Sequence, residues 1–183
     1  RLPKIFFEYI DGGSYAEETL RRNVADLEAI ALRQRVMRDM TQLNMSVTTL
    51  GQTLKMPVGL SPVGMAGMYG HRGETQAIRA ATSAGVPFCL STVGVCSIEE
   101  VAATGTPPWF QLYMLKDRGV VQDILNRAAA HGVDTLLFTI DLAVLGTRYR
   151  DIRNGMAGGL GPWGRLRSGV IDYMLHPGWA VDV

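Results

Sequence analysis

The chain has 183 residues, 47% of them hydrophobic, enough apolar material for a packed core. Its 18 Lys and Arg nearly balance 17 Asp and Glu, a formal net charge of +1, and no basic block stands out, which argues against a nucleic-acid partner. No apolar run reaches the roughly 18 residues of a membrane-spanning helix, and no signal peptide is visible. Cys89 and Cys96 do not form a C-x-x-C pair and have no histidine nearby, so they read as buried apolar thiols in a reducing, cytoplasmic compartment, with no metal site.

In chain order, Leu2 to Tyr9 is a short amphipathic helix with Pro3 in its first turn, ended by Asp11-Gly12-Gly13. Glu17 to Leu32 is a second, with Leu20, Val24, Leu27 and Ala31 as its apolar stripe. From Asn44 to Lys55 the pattern alternates around a turn at Gly51-Gln52, a hairpin expected to plug the amino end of a barrel.

Four apolar runs come next, each ending in polar side chains: Pro57 to Pro62 with Ser61, Pro87 to Thr92 with Ser91, Trp109 to Tyr113 with Gln111, and Thr135 to Asp141 with Thr139. Such runs suit parallel strands buried on both faces. Helical stretches come after the first three. One runs from Glu74 to Ala84, with Ala77, Ile78 and Ala81 inward and Gly85 as its C-cap. A short one is capped by Ser97, with Glu99 and Glu100 in its first turn. The third spans Asp117 to Ala130, with Val121, Ile124, Leu125 and Ala128 on one face. Repeated strand–helix units with short connections predict an α/β fold, the first half of a (β/α)8 TIM barrel preceded by a helical extension and hairpin. A whole barrel needs about 250 residues, so four units read as a truncated one. The expected organisation is 1–55 for the extension, 56–154 for the four strands and 155–183 for an irregular segment. That segment has a Gly158-to-Pro162 loop, one further helix from Leu166 to Leu175, and a break at His176-Pro177-Gly178.

In such barrels the active site gathers at the carboxyl ends of the strands. Ser91 and Thr92, Gln111 and Thr139 place donors and acceptors there, a set suited to the edge of a heterocycle such as a flavin. The stretch Ser61-Pro62-Val63-Gly64-Met65-Ala66-Gly67 is either a loop that lets a flat ring lie against its backbone or a tight strand-to-helix turn. Tyr113 is two residues beyond Gln111 on the same face of its strand, placed to hold a substrate oxygen. Asp141 either orients a histidine supplied from elsewhere or caps the segment after its strand. Arg148, beside Tyr149 and Arg150, is either a carboxylate clamp over the mouth or a solvated loop charge. His71, His131 and His176 read as surface or capping residues, so no general base is evident.

Leu2-Pro3-Lys4 through Tyr9 and Gly12, Met56 through Pro62, Leu90-Ser91-Thr92, Trp109 through Tyr113, Lys116-Asp117-Arg118, and Thr139-Ile140-Asp141 through Gly146 and Arg148 resemble the FMN-dependent 2-hydroxy acid dehydrogenase and oxidase family. Gly12 to Tyr15, Thr19 to Asn23, Arg148 to Asp151 and His176 to Trp179 look most like its membrane-associated, quinone-linked bacterial L-lactate dehydrogenases. The resemblance implies FMN as cofactor. It implies flavin contacts from Pro62, Val63, Gly64, Ser91, Gln111 and Thr139, and substrate contacts from Tyr9, Tyr113 and Arg148. Tyr113 and Asp141 would be the catalytic residues, Asp141 by orienting the family's catalytic histidine. It further implies a small 2-hydroxy acid substrate, a quinone or other membrane electron acceptor, a homo-oligomer in the full-length enzyme, and peripheral attachment at the cytoplasmic face of the inner membrane. Ala143 stands where the family often has proline, a change associated with mandelate dehydrogenases, and Val93 replaces a bulky aromatic of glycolate-oxidising relatives. The family's base-bearing H-G-G-R-Q motif, its flavin-contacting lysine and its phosphate-binding loops belong to the second half of the barrel and have no counterpart here. A half-barrel without catalysis, serving in binding or assembly, is the alternative of another class.

The segment 155–183, just after Arg153, mixes Arg165 and Arg167 with aromatic and aliphatic side chains, which suits either a membrane interface or a lid.

Overall fold

The computed structural model describes residues 2–141, 144, 146–156 and 170–182. Contacts divide the chain into two compact units, one made of residues 1–42 with 144–182, the other of residues 43–143.

In the second unit, β1 (Val47–Thr49) and β2 (Gln52–Leu54) form an antiparallel hairpin that pairs Val47 with Leu54. It is fastened by Gln52: the Trp109 indole N–H donates to its Oε1 at 3.0 Å, and its Nε2 donates to Asp134 at 2.8 Å. Trp109 opens one strand of the main sheet and Asp134 lies just before another, so the hairpin is tied at the amino ends of those strands.

The main sheet is parallel, ordered β3 (Cys89–Ser91), β4 (Trp109–Tyr113), β5 (Leu136–Thr139). Its register places Ser91 beside Gln111, and Tyr113 beside Thr139. The first apolar run, Pro57 to Pro62, does not extend the sheet as a full strand. It contributes one parallel bridge, Leu60 to Phe88, made by the Leu60 N–H to Pro87 carbonyl and Cys89 N–H to Leu60 carbonyl bonds. Pro57 and Pro62 have no N–H to give a ladder, which confines the pairing to the residues between them. Among the described residues the structure is thus α/β, with three parallel strands and a bridge.

Helices α3 (Ala66–Tyr69), α4 (Gly73–Ala84), α5 (Ile98–Thr104) and α6 (Arg118–Ala130) complete this unit. The short α3 has too few residues for a periodicity to reveal it. The other three start and stop where their local chemistry dictates. Gly85 caps α4 in the left-handed region at φ 69°. The Ser97 side chain accepts from the Glu100 N–H at the start of α5, and Asp117 accepts from the Gly119 and Val120 N–H groups at the start of α6. Ile78, Ala81, Leu90, Val101, Phe110, Leu112, Val121 and Ala128 form the core between sheet and helices. β3 and the middle of β4 are buried, but on β5 Leu136 and Phe138 are 48% and 49% exposed, so the expectation of burial on both faces fails there. These two share the helix-packed face of Phe110 and Leu112, and among the described residues nothing covers them as the helices cover β4.

In the first unit, α1 (Lys4–Asp11) buries Phe6, and α2 (Glu18–Glu28) buries nothing. The stripe expected on α2 is exposed instead, Leu27 at 71%, and its helix stops at Glu28 rather than Leu32. After Asp141 a helix that periodicity does not reveal, α7 (Tyr149–Asn154), precedes α8 (Asp172–Met174) and α9 (Pro177–Asp182). Pro177 opens α9 rather than breaking the chain, a position where its missing N–H costs nothing. Tyr173 and Trp179 stack at 5.6 Å, and Trp179 lies 5.1 Å from Phe6. Ala143, the Gly158-to-Pro162 loop, Arg165, Arg167 and residues 166–169 of the helix expected from Leu166 to Leu175 lie outside the described residues, and its described part contains α8.

Candidate active site

The carboxyl ends of β3, β4 and β5 carry one connected hydrogen-bond network. Because parallel neighbours in register present side chains to the same face, Ser91, Gln111, Tyr113 and Thr139 share a face of the sheet. Gln111, only 3% exposed, is its centre. Its Oε1 accepts from the Ser91 hydroxyl at 3.1 Å and the Thr92 N–H at 3.2 Å, and its Nε2 donates to Thr139 Oγ1 at 2.8 Å. Thr92 completes the lattice, its hydroxyl donating to the Gln111 carbonyl at 2.5 Å and accepting from the Tyr113 N–H at 3.0 Å. Tyr113 is half-buried one step beyond Gln111 on this face, and Asp141 is exposed two residues past Thr139.

The loop after the first apolar run lies against the loop after β3. The Met65 N–H donates to the Val93 carbonyl at 2.8 Å, and a Cβ on Gly64 would come 2.8 Å from Val93 Cγ2. A side chain at position 64 would have to push the Val93 methyl aside.

In the other unit, Arg148 and Tyr9 are together: the guanidinium lies 4.6 Å from the Tyr9 ring centroid and donates to the carbonyls of Tyr9 and Gly12. Behind it sits Asp151, 5% exposed, whose Oδ2 is 2.9 Å from Arg148 Nε but off the N–H direction, an ion pair rather than a hydrogen bond. Burial pushes the Asp151 carboxyl up, Arg148 pulls it back, and Glu8 adds to the rise, leaving it above its ordinary value. Arg150, beside it, pairs with Asp11 at 2.7 Å and Glu17 at 2.8 Å.

All 183 residues match the sequence model of one family, described as FMN-dependent dehydrogenase. This chain belongs to the FMN-dependent dehydrogenase family. It is 57% identical over 184 residues to an L-lactate dehydrogenase of Xanthomonas campestris pv. campestris (strain B100), covering 100% of this chain and 47% of that one. The same figures hold for an L-lactate dehydrogenase of Pseudomonas aeruginosa (strain LESB58). Among solved structures, the monotopic membrane protein (S)-mandelate dehydrogenase matches with a TM-score of 0.83 and 32% identity, covering 100% of this chain and 48% of that one. A mandelate oxidase matches with a TM-score of 0.76 and 36% identity, over 88% of this chain and 47% of that one. The chain therefore spans about half the length of the relatives it matches.

FMN is the cofactor of this family, and the residues present fit it. Gln111 has committed its acceptor oxygen twice and one amide proton to Thr139. That leaves one Gln111 N–H and the Thr139 hydroxyl proton, two donors on adjacent strands for the ring carbonyls of a flavin. Gly64 leaves the backbone of Pro62 to Gly64 without a Cβ at its end, beside a Val63 that is 45% exposed.

Two buried acids escaped the sequence, Asp151 beside Arg148 and Glu74, whose Oε1 accepts from the Val95 N–H at 2.8 Å in the loop after β3. Asp151 lies in the Arg148-to-Asp151 run, but its i, i+3 spacing to Arg148 is a pairing only once α7 is known to be a helix. Glu74 was detectable: it lies four residues before Ile78 and seven before Ala81, hence on the inward stripe of α4.

Proposed function

We propose that the complete protein oxidises a short 2-hydroxy acid, L-lactate first, to its 2-oxo acid. The observation that carries this is the Ser91–Gln111–Thr139 network, with Tyr113 beside it, in a chain 57% identical to L-lactate dehydrogenases. FMN, when bound, would supply the two-electron acceptor for the substrate's hydride equivalent. Ser91, Gln111 and Thr139, with the backbone of Pro62, Val63 and Gly64, would hold the ring. Tyr113 donates its phenol proton to a substrate oxygen at the reacting carbon, Tyr9 and Arg148 bind the substrate carboxylate, and Asp141 orients the histidine that takes the proton. A half-barrel completed by a second half accounts for the open edge at β5 and its exposed Leu136 and Phe138.

Support for the tyrosine and arginine comes from spacing. Solved mandelate oxidase variants replace a tyrosine and an arginine 35 positions apart in that chain, and Tyr113 and Arg148 are also 35 apart.

Membrane contact belongs to the same proposal. Among the described residues no helix is long and apolar enough to cross a membrane. Yet Val170, Ile171, Met174, Leu175 and Val181 are between 45% and 84% exposed, apolar surface suited to a lipid interface. The relative of known structure described as monotopic supports peripheral attachment, with a membrane quinone as electron acceptor and the homo-oligomer as further parts of this reading. Loss of the full-length protein from the membrane fraction when residues 155–183 are exchanged for a shorter loop tests the attachment.

The second reading is (S)-mandelate oxidation, favoured by the mandelate-acting structural relatives and by Val93, 48% exposed beside the flavin loop. Anaerobic mixing of the full-length holoprotein with each acid decides. We expect L-lactate to bleach the flavin's visible absorbance faster than (S)-mandelate. The reverse order favours mandelate, and no bleaching by either leaves the non-catalytic assembly unit.

A further inference from the structure

Glu74 is the most buried carboxylate among the described residues, 1% exposed, and none of the roles above uses it. A group so placed in the first turn of α4 has cheaper alternatives, since any exposed acid there would satisfy the helix dipole. Its side chain instead reaches across to the loop after β3, where Oε1 accepts from the Val95 N–H at 2.8 Å. Its Oε2 lies 3.0 Å from where a Gly67 Cβ would sit, and that same Cβ would meet Val95 at 2.8 Å. Glu74, Gly67 and Val95 are therefore packed without spare room.

This knot lies under both loops assigned to the flavin. From Val95 the chain runs back through Gly94, whose N–H donates to the Ser91 carbonyl at 3.0 Å, to Val93, whose carbonyl holds the Met65 N–H. From Gly67 it runs back through Met65, in the left-handed region at φ 55°, to Gly64. We propose that Glu74 is a positioning residue whose carboxylate locks the loop 92–96 to the loop 62–67, and so fixes the backbone that meets the flavin. The proposal rests on reading Pro62 to Gly64 and Ser91 as flavin contacts.

The carboxylate is held in its charged form. Burial pushes its pKa up, but the N–H groups of Val95, Glu74 itself and Gly67, with the Cys96 thiol, outweigh that and leave it below the ordinary value. A charge-assisted bond to one N–H in a closed site is stronger than a neutral one, which is what a lock between two loops requires.

The test uses the full-length holoenzyme and the variants Glu74→Gln and Gly67→Ala. The first keeps the shape and removes the charge. The second keeps the charge and wedges a methyl against Val95. We expect each to raise the FMN dissociation constant about tenfold, the scale of one weakened charged hydrogen bond. Each also shifts the visible spectrum of the flavin that remains bound, whatever the fall in the apoprotein melting temperature. A merely structural glutamate gives only a lowered apoprotein melt with FMN affinity and spectrum unaltered, and that result overturns the proposal. Should Glu74→Gln fail to fold, unchanged affinity and spectrum in Gly67→Ala overturn it equally. Wild-type protein that retains no FMN overturns the flavin-site reading itself, whereas FMN held equally by wild type and both variants overturns only the role of Glu74.

Discussion

The guanidinium of Arg148 rests over the ring of Tyr9, 4.6 Å from its centroid, although 139 residues separate the two. The same group reaches the carbonyls of Tyr9 and Gly12, and the buried Asp151 carboxylate lies against its Nε. The arginine and tyrosine proposed to bind substrate are thus one preassembled pair.

Arg148→Lys keeps the charge but cannot hold two carbonyls, a carboxylate and a ring face at once, because an ammonium lacks the planar fork. We expect kcat/KM of the full-length enzyme to fall about ten- to a hundredfold, the range of one to two lost charge-assisted contacts, with FMN content unchanged. Steady-state kinetics and flavin absorbance of the purified variant check this. Loss of flavin in parallel with activity would count against the assignment.

Gln111 and Tyr113 separate by position. Gln111→Ala leaves the Ser91 and Thr139 hydroxyls without their side-chain partner, the Thr92 N–H keeping the Gln111 carbonyl, so FMN affinity should drop about tenfold or more. Tyr113→Phe removes one hydroxyl near the reacting carbon and should lower kcat about tenfold or more, with flavin retained. Flavin titration and rapid reduction kinetics on both variants distinguish the two effects, and an equal loss of flavin in both would contradict the roles.

Cys89 and Cys96 are 2% and 7% exposed, and burial pushes the Cys89 thiol up to about 12. Burial raises Cys96 as well, helped by the neighbouring Glu74 carboxylate. Since the thiolate is the nucleophile, neither should react with iodoacetamide at about pH 8 in the native protein, where a free cysteine of pKa about 8.5 would. Both should be alkylated in urea. Mass spectrometry of the native digest settles it, and rapid native labelling of Cys89 would contradict its burial.

The helices α4, α5 and α6 were legible because their signals are local: Gly85 stops one, Ser97 and Asp117 start the others, and each carries its apolar residues at helical spacing. So were the polar ends of β3, β4 and β5, since a strand's side chains alternate whatever its neighbours, and Gln111 and Tyr113 must share a face. The family was legible in the same ordered motifs. Pairing was another matter. Pro57 to Pro62 has the composition of a strand, but whether it joins a sheet depends on what its N–H groups meet: that of Val58 turns back to Met56, and that of Leu60 reaches the Pro87 carbonyl in the bridge to Phe88. The stripe of α2 has the right period and no surface of its own unit to bury it, because periodicity names a face and not what covers it. Tyr9 meets Arg148, and Glu74 meets Val95, through closures of 139 and 21 residues. No local pattern encodes such distances; the packing of sheet and helices brings those atoms together, and with them the charge that the sequence alone left unassigned.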